Sequence, residues 1–229
     1  MKRKLILTGD GSHSISVPEL KVAYHSIHGA ITESLHVFIE AGLYGSRPRS
    51  NRGPEPFRIL EVGFGTGLNA LLTLIEAEKT KTITYYETVE LFPLSENEIK
   101  ELNYCEQLGK PELQQPFQIL HTREWEKEIA ITENFTLLKR NEDLLTSKFF
   151  EPFELIYFDA FAPNAQPELW TKEIFDKMFA WLEPGGLLVT YCSKGDVRRA
   201  MIAAGFEVEK LPGPPGKREM IRAAHPKLR

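Results

Sequence analysis

The sequence predicts an α/β fold: a mostly parallel sheet wound by helices, behind a short N-terminal extension. Three observations carry that prediction. An apolar run over residues 57–62 ends in glycines at alternate positions, Gly63, Gly65 and Gly67, and feeds a helical stretch over about 68–78. Two later strand-like runs, 81–90 and 153–159, each end in an acid, Glu90 and Asp159. A further run, 181–191, passes through Pro184-Gly185-Gly186 and becomes an apolar strand at once. Strands that alternate with helices read as parallel units, and such sheets collect ligands at the carboxyl ends of their strands.

The remaining elements follow in chain order. Residues 4–8 and 14–18 flank Gly9-Asp10-Gly11 and read as a hairpin. Residues 30–40 carry Ile31, Leu35 and Phe38 at helical spacing. Residues 47–56, rich in Pro, Arg, Ser, Asn and Gly, read as a loop that closes the extension. The division is therefore 1–56, a hairpin, helix and loop packed on the core, and 57–229, the α/β domain. Residues 95–140 exceed what a plain link requires. Helical stretches are expected near 95–108 and 123–130, and a strand near 135–138. Residues 171–181 place Ile174, Met178 and Trp181 on one helix face. Residues 196–204 form another helix. Residues 206–210 and 219–223 then pair as terminal strands.

Composition narrows the class. A chain of 229 residues can bury a sizeable core. No apolar run approaches the roughly 18 residues of a membrane span, so no membrane partner is expected. Cys105 and Cys192 are the only cysteines, and two scattered thiols suit a reducing, cytoplasmic setting. The six histidines show no ligand spacing, so no metal is expected. Net charge is −4, but residues 1–58 sum to +3, residues 194–229 to +5, and the stretch between them to −12. Basic flanks around an acidic centre suit a nucleic-acid partner if they meet in space; scattered solvated charge is the plainer reading.

The glycine turn discriminates between cofactors. Dinucleotide sites prefer GxGxxG, with pyrophosphate on the helix N-terminus. Here the run is Glu61-Val62-Gly63-Phe64-Gly65-Thr66-Gly67-Leu68-Asn69. An acid ahead of the first glycine suits a ligand with a positive amino group and no phosphate, such as S-adenosylmethionine (SAM). Glu90 ends the second strand, where nucleoside-binding folds hold ribose hydroxyls. Glu87, three residues earlier, faces the other side.

That run resembles motif I of class I SAM-dependent methyltransferases. Further motifs are Tyr24-His25-Ser26, Glu33-Ser34, Asp159-Ala160-Phe161-Ala162-Pro163, Pro167-Glu168-Leu169-Trp170, Tyr191-Cys192-Ser193-Lys194-Gly195 and Gly216-Lys217-Arg218-Glu219-Met220. Together they resemble the methyltransferase domain of the MnmC family over nearly the whole chain. The resemblance implies a Rossmann-like, mostly parallel seven-stranded sheet with an antiparallel last strand. It implies SAM-dependent N-methylation of the 5-aminomethyl group of wobble (2-thio)uridine, with a tRNA anticodon stem-loop as partner. The family's fused oxidase would bring its own dinucleotide motif, so a stand-alone form without FAD is expected.

The same reading assigns roles. Glu61, Gly63, Gly65, Gly67, Asn69, Glu90 and Asp159 are expected at the cofactor. The family's adenine-contacting Gly-Asp is replaced by Arg140-Asn141, which leaves that contact open between Asn141 and Asp143. The acceptor is a primary amine, mostly protonated near neutral pH, and only its neutral form has a free lone pair. A carboxylate at the site can take that proton, and Asp159 is the expected base, with Glu33 orienting the amine or the cofactor's amino group. Tyr24, Ser26, Phe161, Pro163 and Trp170 are expected around the acceptor, with ordinary core an equal alternative for Trp170, and Lys194, Lys217 and Arg218 at RNA phosphates. Rival readings are an aminopropyltransferase resembling spermidine synthase and a non-catalytic tRNA-binding protein.

Overall fold

A computed structural model describes residues 2–46, 55–149 and 151–227. Three short strands open the chain: β1 (Lys4–Leu7), β2 (His13–Val17) and β3 (Val22–Ala23), paired antiparallel in that order. The hairpin is the predicted one; β3 is too short to leave a pattern. Asp10, in the turn, ties it to the next helix by accepting from the N–H and hydroxyl of Thr32, both at 2.9 Å. Burial works against its charge, but hydrogen bonds from Ser12, Thr32 and Thr8 outweigh it and hold its pKa down at about 2.

The next helix begins as α1 (Ala30–Ser34), widens to i→i+5 winding over Leu35–Leu43, and ends as α2 (Tyr44–Ser46). It lies directly on the large sheet. A Cβ on Gly42 would sit 2.9 Å from Val189 and 3.1 Å from Tyr157. The predicted loop over 47–56 falls mostly outside the described residues.

The large sheet is built from β4 (Phe57–Val62), β5 (Thr84–Val89), β6 (Glu128–Thr132), β7 (Phe135–Arg140), β8 (Phe153–Phe158), β9 (Leu182–Thr190), β10 (Glu207–Pro212) and β11 (Glu219–Ala224). Their order is β10-β11-β9-β8-β4-β5-β7-β6. The pairs β4/β5, β4/β8, β5/β7 and β8/β9 are parallel. The last strand, β11, is antiparallel to both neighbours, as predicted. The helices are α3 (Leu68–Thr80), α4 (Glu96–Lys100), α5 (Tyr104–Gln107), α6 (Gln114–Thr122), α7 (Lys172–Trp181) and α8 (Gly195–Ala203).

Two expectations are corrected. The sheet has eight strands rather than seven, because β6 lies where a helix was expected over 123–130. Ile129 and Ile131 alternate with Glu128 and Ala130, a period of two that suits an edge strand on β7. The extra helix is α6, slightly earlier, which buries Phe117, Leu120 and His121. Likewise Pro184-Gly185-Gly186 does not precede its strand but lies inside β9. Register there jumps from Phe153↔Leu182 to Leu155↔Leu187, so the three residues bulge out of the ladder.

Alternation along the central strands fills two cores. Phe57, Ile59, Leu155 and Tyr157 pack under α3 and the N-terminal helix, while Leu60, Val62, Ile156 and Phe158 pack under α7 and α8. The chain leaves β4 toward β5 and leaves β8 toward β9, in opposite directions across the sheet. The carboxyl ends of β4 and β8 therefore flank a topological switch point, the place where such folds leave a crevice.

Candidate active site

A cavity of about 350 Å³ opens at that switch point. Its floor is the turn between β4 and α3. Gly63, at φ +91°, brings the chain against β8: a Cβ there would lie 2.9 Å from the carbonyl oxygen of Asp159. Gly65, at φ +49°, lies under Tyr24, whose ring a Cβ would meet at 2.8 Å. Both backbone conformations disfavour a side chain, so the sequence has glycine where the turn is tightest.

Glu90 stands at one side of the cavity. Its Oε2 accepts from the Gly65 N–H at 3.0 Å and its Oε1 from the Phe92 N–H at 2.8 Å. The rival Glu87 is sealed on the opposite face, ion-paired to Arg140 and, at 3.9 Å, to Arg58. Tyr24 roofs this end. Burial and the nearby Glu90 push its phenol up to about 12, so it stays a hydrogen-bond donor.

Asp159 stands at the other side, at the end of β8. Its Oδ2 accepts from the Asn69 amide at 2.9 Å. Burial first, and then the charge of Glu33, raise its carboxyl well above the ordinary range. Asn69 and Asp159 line the cavity, and the Asn69 Oδ1 is buried without a hydrogen-bond partner. Behind them Glu61 is fully buried. Its Oε2 accepts from Thr88 at 3.0 Å, and burial and Asp159 raise its pKa well above normal.

The first helix and the loop before β11 meet next to Asp159. Glu33, buried on α1, accepts from the Ser26 N–H at 2.6 Å and from the Lys217 ammonium at 2.5 Å. Lys217 lies 3.8 Å above the ring centroid of Tyr191. Tyr191 in turn donates to the carbonyl of Ala160 at 2.8 Å. Phe161 lines the cavity and meets Tyr24 edge-on at 4.9 Å.

Several expected contacts take a different form. Glu61 and Gly67 are not in the cavity wall: strand alternation turns Glu61 beneath α3, and Gly67 caps that helix against His121. Asn141 is also outside the wall, because its amide donates to the Glu90 carbonyl at 2.8 Å; Asp143 is in the wall. Trp170 takes the core alternative, packed on Phe158 and donating to the Phe161 carbonyl at 2.8 Å. Pro163 and Ser26 lie outside the wall. Glu33 has both oxygens engaged, so it is a poor candidate for a free base. Lys217 is bound to Glu33 rather than offered to a phosphate, whereas Arg218 is 92% exposed and makes only a 3.5 Å contact with its neighbour Glu219. Lys194 is exposed and donates to Asn164 at 2.5 Å.

Sequence reasoning missed Arg3 and His25, both in the wall. Burial lowers His25 to about 4, so it is a neutral hydrogen-bonding ring, within 3.0 Å of Ser14 Oγ. Its place beside Tyr24 was the available signal. Arg3 gave none. Among the described residues no acidic, histidine or cysteine cluster could hold a metal, and no helix is long and apolar enough to cross a membrane.

The family described as S-adenosyl-L-methionine-dependent methyltransferase matches residues 113–226. The tRNA 5-methylaminomethyl-2-thiouridine biosynthesis bifunctional protein MnmC of Cupriavidus metallidurans is 30% identical over 231 aligned residues, 95% of this chain and 33% of that protein. The protein of the same name from Leptospira interrogans is 30% identical over 86% of this chain and 32% of its own length. The chain thus spans about a third of the curated relatives it matches. The crystal structure of MnmC2 from Aquifex aeolicus superposes with a TM-score of 0.75 at 25% identity, covering all of this chain and 73% of that one.

Proposed function

We propose, from the match of the S-adenosyl-L-methionine-dependent methyltransferase family to residues 113–226 and the likeness of most of this chain to proteins named MnmC, that it methylates the 5-aminomethyl group of wobble (2-thio)uridine in tRNA. The observation that carries the reading is the acid-lined switch-point cavity with Glu90 at one side and Asp159 at the other.

The wall fits SAM. Glu90, Asp143 and the orphaned Asn69 Oδ1 are acceptors, and the ligand's ribose hydroxyls and ammonium are donors. A pyrophosphate would meet these same carboxylates with like charge. SAM supplies a methyl group already activated by its sulfonium, so the protein's tasks are placement and proton removal. Gly63 and Gly65 let the ligand lie close to backbone, and Glu90 holds it by the sugar. Orienting two reactants this way can supply roughly 7–11 kcal/mol of the barrier.

Proton removal falls to Asp159. A carboxyl whose pKa is raised by burial and by Glu33 is a stronger base than one in water. It takes a proton from the acceptor ammonium, which exposes the lone pair, and the Asn69 amide keeps its Oδ2 oriented. Glu33 and Lys217 close the acceptor side by joining the first helix to the loop before β11. We assign the 92%-exposed Arg218 to RNA phosphate, which would compete with its 3.5 Å contact to Glu219.

The test is transfer of labelled methyl from SAM to tRNA that carries 5-aminomethyl-2-thiouridine, followed by nucleoside analysis. The expected product is 5-methylaminomethyl-2-thiouridine. Absence of label from tRNA, or label retained in methylthioadenosine, contradicts the reading.

A further inference from the structure

Arg3 reaches from the start of the chain into the wall of the cofactor cavity. Its side chain is only 12% exposed. One guanidinium nitrogen donates to the Phe92 carbonyl at 2.5 Å; the other donates to the Pro93 carbonyl at 3.1 Å and faces Glu98 at 3.4 Å. Its Nε is buried without a hydrogen-bond partner. These carbonyls belong to the turn that follows Glu90. On the other side of the same residue, the Phe92 N–H donates to Glu90 Oε1, while Gly65 holds Oε2. Phe92 is therefore gripped twice, by Arg3 at its carbonyl and by Glu90 at its amide. Leu91 and Phe92 are 43% and 51% exposed, so little apolar packing fixes this turn. Hydrogen bonds have to do so, and a planar fork that spans two adjacent carbonyls suits that task better than a point charge.

We infer that Arg3 is a positioning residue for the cofactor's ribose: it fixes the turn over residues 91–93 and, through the Phe92 amide, the carboxylate of Glu90. This rests on the SAM reading of the cavity. Arg3 acts through Glu90 and does not itself take part in methyl transfer.

The test is calorimetry on the full chain with two ligands, S-adenosylhomocysteine and its 2′,3′-dideoxy analogue. Arg3→Met is expected to weaken S-adenosylhomocysteine about tenfold, the scale of a lost hydrogen bond to a charged group. The dideoxy analogue, which has no hydroxyls for Glu90 to hold, is expected to bind the parent and Arg3→Met alike. Arg3→Lys keeps the charge and loses the fork, so it is expected to fall between them for the first ligand only. That variant decides the matter if Arg3→Met does not fold. Unchanged affinity for S-adenosylhomocysteine overturns the inference. So does an equal loss for both ligands, which marks Arg3 as a general brace. If the parent binds neither ligand, the SAM reading falls and the inference with it.

Discussion

At the cofactor end of the cavity, Gly63, Gly65 and Glu90 come from two successive strand–helix units, close together in the chain. At the acceptor end, Asp159 is joined by Glu33 from the first helix and Lys217 from the loop before the last strand. The first end is held mainly by backbone: glycines in left-handed conformations and N–H groups that grip Glu90. The second is held by side-chain charge: a half-buried ion pair, a cation over an aromatic ring, and an acid raised by burial and by its neighbour. Backbone grip is set by local sequence and tolerates no added side chain. Charge pairing is set by the tertiary fold and responds to pH and salt.

The two ends should therefore fail in different ways. The largest effect is expected at the turn. Gly65→Val combines a strained φ with a clash against Tyr24, and calorimetry should show SAM binding weakened about a hundredfold while the fold persists. Unchanged affinity would break the comparison at its cofactor end.

A smaller effect separates two adjacent residues of the acceptor end. Arg218→Ala should weaken tRNA binding and reduce the slope of log affinity against log salt by about one, as expected for one phosphate contact. Lys217→Met should leave that slope alone, because its ammonium is committed to Glu33. A salt slope that drops for Lys217→Met and not for Arg218→Ala would reverse these assignments.

The smallest effect concerns Glu61, behind both ends. Burial and Asp159 raise its folded pKa above the unfolded value. Its contribution to stability is then complete below the unfolded pKa and lost as pH rises toward the folded one. Glu61→Gln cannot ionise and escapes that loss. Its melting temperature relative to the parent should rise by about 2–4 °C between pH 4.5 and pH 8. A difference that is flat across this range would mean that Glu61 is not held against its charge.

The same contrast explains what the sequence disclosed. β4, β5 and β8 and their terminal acids were legible because each is a local pattern: an apolar run, then glycine or acid. The β6 edge strand was missed because its two isoleucines alternate over only five residues, too few to separate from a helical turn. Trp170 stayed open between pocket wall and core because an aromatic in a motif carries no mark of which way it faces; here its indole N–H is satisfied within the core. The Glu33–Lys217 pair joins residues 184 apart, and no periodicity links them. Arg3 was invisible for the same reason, since its partners lie beyond β5.

The claim on which the account turns is that Asp159 removes the proton from the acceptor amine. The direct measurement is single-turnover methyl transfer by Asp159→Asn to tRNA carrying 5-aminomethyl-2-thiouridine, at neutral and at alkaline pH, with SAM affinity measured alongside. Asparagine keeps the size but cannot accept the proton. The predicted result is a rate about 10²–10⁴-fold below the parent at neutral pH. SAM affinity should change little, and part of the rate should return at alkaline pH, where more of the amine is already neutral. A near-parental rate at neutral pH, or an equal loss at both pH values with a lower melting temperature, would contradict it and leave Asp159 as a brace for its turn.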